Sequence, residues 1–183
     1  LRTTAGSHSR IFVIETMGRS AGWLALKAGE SSGAYIILIP EYDFDMNRVN
    51  ELILQGRKGG ARYDIVIVSE GAKVKGGNTI ARDKKYDAFG HETLGGIGEY
   101  VADEITKGTN IETRCVVLSH IQRGGAPCAY DRRMGRYFGI AAVNLIDKKE
   151  WGQLVCSMEG KITSIPIVNV LGHLNLVDVP TMY

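Results

Sequence analysis

The 183-residue sequence is 44% hydrophobic and 23% charged, which is typical of a globular protein with room for one core, or for one domain and part of another. Lys plus Arg is 22 against 20 for Asp plus Glu, so the net charge of +2 predicts no nucleic-acid partner, and any anion site must be local. No apolar run approaches the ~20 residues that span a bilayer, and no signal-peptide pattern opens the sequence, so no membrane partner is expected. The cysteines lack metal-ligand spacing and favour reduced thiols in a cytoplasmic protein.

In chain order, strands and helices alternate over the first two thirds of the sequence. Apolar runs predict strands at 10–15, 34–41, 63–72 and 114–120, and helical patterns predict helices between them at 20–29, 43–60 and 94–108. Nearly continuous apolar strands are typical of a parallel sheet that is covered on both faces. Residues 73–92 have no clear period and are predicted to form a long surface loop. The expected fold is therefore α/β, a parallel sheet flanked by helices in three αβα layers.

Beyond residue 122 the pattern changes, and we expect a change of domain there. Residues 131–149 predict a helix, and residues 153–167 predict a hairpin that turns at Glu159, Gly160 and Lys161. The helix is expected to bury one face, made of Met134, Phe138, Ala141, Ala142 and Leu145. The sequence begins LRTTAGSHSR without Met, so we expect it to be the later part of a longer protein.

Polar residues follow three of the predicted strands. They are Glu15, Gly18 and Arg19 after the first strand, Glu70 after the third, and His120 and Arg123 after the fourth. Because ligands bind beyond the carboxyl ends of parallel strands, we expect these residues in one site. Arginine matches phosphate oxygens, a glycine before a helix lets backbone N–H groups approach an anion, and a carboxylate accepts hydrogen bonds from sugar hydroxyls. A phosphorylated sugar satisfies all of them.

Simpler interpretations of the same residues stay open. Arg19 can pair with Glu15, His120 can be a core histidine, and Glu70 can be a solvated strand end. The sequence has no GxxxxGK[ST] loop, so it lacks the usual phosphate-binding loop for a nucleotide. It also has no strand followed by GxGxxG, which disfavours a dinucleotide-binding α/β protein. No Ser-His-Asp or Cys-His arrangement is indicated.

The motifs SHSRIFVIETMGR (7–19), IVSEGA (67–72) and TRCVVLSHIQRGGAPCAYDR (113–132) resemble those of the phosphofructokinases, in the same order along nearly the whole chain. The resemblance implies that fructose 6-phosphate is contacted by Met17, Gly18, Arg19, Glu70, His120, Ile121, Gln122 and Arg123. It also implies that Arg10 and Arg114 reach the 6-phosphate bound to a neighbouring subunit, so a homo-oligomer with shared sites is expected. Arg19 has the implied catalytic role of stabilising charge on the phosphoryl group in transit.

The resemblance further implies a sugar-phosphate-binding domain at 1–121, a segment of the phosphoryl-donor domain at 122–172 and a C-terminal tail at 173–183. The implied reaction, a step of glycolysis, transfers a phosphoryl group from ATP or pyrophosphate to the 1-hydroxyl of fructose 6-phosphate. The donor loops, the Mg²⁺ ligands and the proton-accepting aspartate of the family belong to a first half that these residues do not contain. We therefore expect the fragment alone to be inactive, and a non-catalytic sugar-phosphate-sensing subunit is the alternative.

Two further features concern regulation and the phosphoryl donor. In the allosteric bacterial ATP enzymes, an acid and lysines surround an effector. At the matching positions this sequence has Tyr35, Gly59 and Ala61, and only the arginine of that site, Arg2, is kept. Effector control of that kind is therefore not expected. The stretches AGW (21–23) and GHETLGGIGEYVADEI (90–105) favour the group that includes pyrophosphate-dependent enzymes.

Overall fold

The computed structural model describes residues 1–76 and 96–183. These residues form two compact units, Leu1–Gln122 with Asn175–Tyr183, and Arg123–Leu174. In the described part of the chain, no helix is both long and apolar enough to cross a bilayer. The predicted surface loop at 73–92 lies outside the described residues from position 77 onward.

The first unit is built on a parallel sheet. Its strands are β1 (Ile11–Thr16), β2 (Ile36–Leu38), β3 (Asp64–Ser69) and β4 (Thr113–Val117), in the spatial order β2-β3-β1-β4. In register, Ile11 of β1 lies beside Asp64 of β3 and Thr113 of β4. Because β3 separates β1 from β2, and β1 separates β3 from β4, the connections cross over the sheet.

Four helices of this unit precede β4 in the chain: α1 (Arg2–His8), α2 (Trp23–Ser32), α3 (Met46–Lys58) and α4 (Ile97–Thr109). Alternate strand residues point to opposite faces of the sheet, and each face has its own core. Val13 and Val66 pack with α3 and α4, whereas Phe12 and Ile65 pack with α1 and α2. The predicted fold, a parallel sheet flanked by helices, is confirmed.

Three elements, α1, α2 and β2, illustrate where the structure departs from the prediction. Helix α1 was not predicted, because its only buried residue is Ala5 and the rest of its sequence is polar. Helix α2 continues past Gly29 and ends at Gly33, whose φ of 63° suits a helix end. Gly29 is instead a packing residue, since a Cβ there would lie 2.4 Å from Ile37 Cδ1. Strand β2 covers only three of the eight residues predicted.

The second unit contains α5 (Ala129–Asp147) and the antiparallel hairpin of β5 (Gln153–Met158) and β6 (Lys161–Pro166). The hairpin prediction is confirmed, and Glu159 and Gly160 both have positive φ, as a two-residue turn of this kind requires. The expected burial of one α5 face is wrong. The five residues on that face are only half-buried, and no residue of 123–174 is buried, because one helix on a two-stranded hairpin cannot enclose a core.

The chain then returns to the first unit as a tail, Asn175–Tyr183. Val177 is buried among the residues that α1 and α2 cover. Helix α6 (Val179–Met182) follows and packs Val179 and Met182 against the same core. The tail is therefore packed into the core of the first unit and is not a free extension.

Candidate functional site

The carboxyl ends of β1 and β3 are neighbours, and the residues that follow them are hydrogen-bonded to each other. The Met17 N–H donates to Gln122 Oε1 at 2.7 Å, and the Gly18 N–H donates to Glu70 Oε1 at 3.2 Å. Gln122 belongs to the 3₁₀ turn Ser119–Arg123 that follows β4. The structure thus brings together four of the residues predicted for the site: Met17, Gly18, Glu70 and Gln122.

Two glycines make this part of the backbone rigid. Gly18 has a φ of 143°, and its carbonyl oxygen accepts hydrogen bonds from Ser69 Oγ at 2.6 Å and from the Gly71 N–H at 3.2 Å. A Cβ on Gly18 would lie 2.5 Å from Ser69 Oγ, and a Cβ on Gly71 would lie 1.8 Å from the Arg19 carbonyl oxygen. Neither position has space for a side chain, so the turn is tightly packed as well as hydrogen-bonded.

The three residues predicted to bind anions, Arg19, His120 and Arg123, are all exposed. Arg19 is exposed and directly follows Gly18, and His120 is exposed with its Nδ1 3.1 Å from Ser119 Oγ. Ile121 is 78% exposed, an unusual placement for an isoleucine at a strand end. Arg123 is exposed as well, and it is the first residue of the second unit.

Arg10 and Arg114 lie at the opposite edge of the sheet. Arg10 precedes β1, and Arg114 is the second residue of β4. Both are bound by Glu112, which accepts from Arg10 Nε at 2.7 Å and from Arg114 Nη2 at 2.6 Å. Hydrogen bonds from Arg10 and then from Arg114 lower the pKa of Glu112 below its ordinary value. The six residues of β1 span roughly 20 Å, so these two arginines cannot join the site of their own chain.

Glu15 has a structural role at the same carboxyl edge. Its side chain is buried, and its Oε2 accepts from the Gly98 N–H of α4 at 2.8 Å. Burial raises the pKa of Glu15, the hydrogen bond from Gly98 opposes this rise, and the charge of Glu70 adds to it. Glu15 therefore satisfies the start of α4.

Sequence reasoning missed Ser69, Gly71 and Glu41. Ser69 and Gly71 flank Glu70 and fix the turn that holds Gly18. Glu41 follows β2 and makes a fourth polar strand end, where three were counted. The signal was available, since Glu41 follows an apolar run that ends in a proline.

The positions expected to lack an effector site are occupied by other contacts. Tyr35 donates its hydroxyl hydrogen to the Leu52 carbonyl at 3.1 Å, and Arg2 Nη1 donates to the Ser32 carbonyl at 3.0 Å. Gly59 and Ala61 close the end of α3 through backbone hydrogen bonds to Gln55 and Gly56.

The chain offers no clear metal centre in its described parts. Among residues 1–76 and 96–183, no group of three His, Cys, Asp or Glu side chains could hold a metal ion.

A doubly wound parallel sheet with a rigid glycine turn, a carboxylate and exposed Arg and His side chains at its carboxyl edge defines an α/β protein with a ligand site beyond its strand ends. Comparison with known proteins is more specific. The sequence model of the family described as Phosphofructokinase matches residues 1–146, and the chain belongs to this family.

Relatives of both donor types are similar to the chain. It is 41% identical over all 183 residues to a pyrophosphate–fructose 6-phosphate 1-phosphotransferase of Streptomyces coelicolor, of which it covers 53%. It is 42% identical over 177 residues, 97% of its length, to an ATP-dependent 6-phosphofructokinase of Chloroflexus aurantiacus, of which it covers 48%. The chain thus spans about half the length of these curated relatives.

Solved structures agree on the fold. A phosphofructokinase from Saccharomyces cerevisiae matches 92% of the chain and 21% of its own, with a TM-score of 0.76 and 32% identity. A pyrophosphate-dependent phosphofructokinase from Nitrosospira multiformis matches 96% of the chain and 45% of its own, with a TM-score of 0.77 and 23% identity, which shows the fold alone.

Proposed function

We propose that this chain is the sugar-phosphate-binding part of a cytoplasmic 6-phosphofructokinase of glycolysis. In the proposed reaction, the 1-hydroxyl oxygen of fructose 6-phosphate forms a bond to the terminal phosphorus of ATP or pyrophosphate. The bond from that phosphorus to ADP or to phosphate breaks, and the hydroxyl proton passes to a base outside these 183 residues. The Mg²⁺ ligands are proposed to lie outside them as well.

The observation that carries this proposal is the pair of contacts at the strand ends, Met17 N–H to Gln122 and Gly18 N–H to Glu70. A rigid turn of this kind costs no reorganisation when a ligand binds, and Glu70 keeps a second carboxylate oxygen for a sugar hydroxyl. Arg19 follows on the same turn, where its guanidinium is suited to charge on a phosphoryl group. The proposed domain roles are sugar-phosphate binding for 1–121 and completion of the donor domain for 122–172.

The test is a pair of arginine substitutions in the complete protein that carries these residues. Arg123→Ala removes a proposed charge-assisted contact, and loss of such a contact costs about 1.5–3 kcal/mol, so we expect KM for fructose 6-phosphate to rise at least tenfold. Arg62→Ala is the matched control, because Arg62 is exposed and precedes β3 at the opposite edge of the sheet. An unchanged KM in Arg123→Ala would contradict the assignment of this residue.

The phosphoryl donor is decided by the same preparation of wild-type protein. Turnover with pyrophosphate and not with ATP would identify pyrophosphate as the donor, and turnover with ATP and not with pyrophosphate would identify ATP. Binding of fructose 6-phosphate without turnover with either donor would favour the sugar-phosphate-sensing subunit instead.

A further inference from the structure

Glu41 holds two separate segments of the first unit with one carboxylate. Its Oε1 and Oε2 both lie 3.0 Å from the Gly22 nitrogen, and Oε1 also accepts from the Val177 N–H at 2.9 Å. Gly22 begins α2, directly after the turn that carries Arg19, and Val177 belongs to the tail.

Helix α2 depends on this carboxylate because its own sequence supplies no cap. Gly22 is the N-cap residue, so it has no side chain to accept a hydrogen bond, and no acidic residue lies in the first turn. A negative charge stabilises the positive end of a helix, and Glu41 supplies it from the end of the neighbouring strand. Gly22 lies close to the sheet and has no space for a side chain, since a Cβ on it would lie 2.5 Å from the Ile39 Cβ.

The turn between Gly18 and Gly22 is therefore held at both ends. Gly18 is fixed by hydrogen bonds to Glu70, Ser69 and Gly71, and the Arg19 carbonyl packs directly against Gly71. Only three residues, 19–21, lie between the two held ends. Because Gly22 and Arg19 are only three residues apart, a displacement of Gly22 is expected to change the backbone at Arg19 as well.

The tail is tied to the same place by a second contact. Trp23, the first residue of α2, donates its indole Nε1–H to the Asn175 carbonyl at 2.7 Å. Val177 is 4% exposed, so the tail is anchored in the core at the point where its backbone meets Glu41. The start of α2 and the docked tail are thus linked by the Glu41 carboxylate, which binds both, and by the Trp23 indole, which binds the tail.

We propose that Glu41 is a positioning residue that couples docking of the 175–177 tail to the conformation of the 17–22 turn, and so to the placement of Arg19. This inference rests on the proposed function, because it assigns Arg19 to fructose 6-phosphate. Glu41 itself does not touch the substrate.

The experiment compares Glu41→Ala, Glu41→Gln and Trp23→Phe in the complete protein, by steady-state kinetics well below the Tm of each variant. Glu41→Ala removes a charge-assisted acceptor from two N–H groups, and we expect KM for fructose 6-phosphate to rise about tenfold with a fall in kcat. Glu41→Gln keeps one acceptor oxygen and is expected to lie between Ala and wild type. Trp23→Phe leaves Glu41 in place, removes the indole hydrogen bond to the Asn175 carbonyl and so loosens the tail, and is expected to raise KM in the same direction.

Glu30→Ala is the matched control, since it removes an exposed carboxylate from the other end of α2 and is expected to leave KM unchanged. A purely structural role for Glu41 predicts a lower Tm with wild-type KM, and this result would overturn the inference. A wild-type KM in Trp23→Phe would overturn the coupling to the tail. If wild-type protein neither binds nor turns over fructose 6-phosphate, the proposed function falls and this inference with it; if wild type is active and both Glu41 variants match it, the inference alone falls.

Discussion

At the scale of single residues, the closest contact in the site belongs to Gly71. We expect Gly71→Ala to lower the free energy of unfolding by about 1–3 kcal/mol, because the new Cβ is forced against the Arg19 carbonyl and the turn must move. The same movement is expected to weaken binding of fructose 6-phosphate. Urea denaturation and calorimetric titration measure the two effects.

The control for this substitution is Gly139→Ala on α5, where a Cβ would meet nothing within 4 Å. This change is expected to stabilise the helix by up to about 1 kcal/mol and to leave binding unchanged. Equal stability of the two alanine variants would contradict the close approach at Gly71.

Burial of Glu15 predicts a pH dependence of stability. Its pKa is raised above the ordinary value of 4.5, so the folded protein binds this proton more tightly than the unfolded chain. The contribution of Glu15 to the free energy of unfolding is therefore fully present below pH 4.5 and is lost as pH rises through the raised pKa. Glu15→Gln keeps an oxygen for the Gly98 N–H but does not ionise.

The expected result is that Glu15→Gln gains stability relative to wild type as pH increases from 4.5 toward 8. Urea denaturation at each pH, followed by tryptophan fluorescence from Trp23 and Trp151, measures this difference. Burial also raises the pKa of Asp64, which the variant keeps. The dependence of the free energy of unfolding on pH is therefore expected to be weaker in Glu15→Gln than in wild type, but not absent. Glu30→Gln on the surface of α2 is the control and should follow the wild-type curve. A constant difference between Glu15→Gln and wild type across this range would show that the Glu15 pKa is not raised.

At the scale of elements, α5 exposes a row of large apolar residues, which we call the apolar stripe: Ile140, Val143 and Ile146, which are 49%, 63% and 57% exposed. In the proposed function, residues outside this chain complete the donor domain over this helix. Val143→Glu is therefore expected to leave the unfolding midpoint of the 183-residue chain unchanged, since exposed substitutions usually alter stability by less than about 0.5 kcal/mol. In the complete protein it is expected to abolish soluble, active enzyme.

Lys148→Glu provides the comparison, because it places a carboxylate at the end of α5 and beyond the apolar stripe, with a net charge change one unit larger than that of Val143→Glu. It is expected to retain activity in the complete protein. Full activity of Val143→Glu would mean that nothing covers this face of α5.

The sequence predicted the elements whose signal is local and missed those that depend on packing. The face of α5 was identified correctly, because residues 134, 138, 141, 142 and 145 follow the helical period, but the degree of its burial depends on what lies against it. Helix α1 was not predicted, because its only buried residue is an alanine and its sequence therefore shows no apolar periodicity. Gly29 was mistaken for a helix end because sequence does not show that Ile37 packs against it.

The same division holds in the site. Strand-end position predicted that residues 18 and 70 would meet, since the carboxyl ends of parallel strands lie at the same end of the sheet. Arg10 and Arg114 came only from the resemblance, and no pattern in the sequence pointed to Glu112 as their common partner. The position of Glu41 after an apolar run was visible in the sequence, but its role was not, because its two partners are backbone N–H groups far apart in the sequence, which no side-chain pattern records.

At the scale of the whole molecule, the chain carries polar sites at both edges of one sheet. Met17, Gly18 and Glu70 lie at the carboxyl edge, and Arg10 and Arg114 lie at the amino edge, roughly 20 Å away along the strands. If all of them bind the same sugar phosphate, the two arginines must come from another copy of the chain. A shared site of this kind has a consequence that can be measured by mixing variants.

Neither Arg10→Ala nor Arg19→Ala is expected to be active alone, because every site in either oligomer lacks one arginine. A mixed pair of subunits, refolded together from the complete proteins, has one site with both defects and one site with neither. Since random pairing makes half of the pairs mixed, we expect about a quarter of wild-type activity to return. Arg19→Ala mixed with Glu70→Ala is the control, because both residues belong to the same edge of one chain, and every site then keeps one defect. Recovery in the control, or none in the test mixture, would show that Arg10 does not serve the site of a neighbouring subunit.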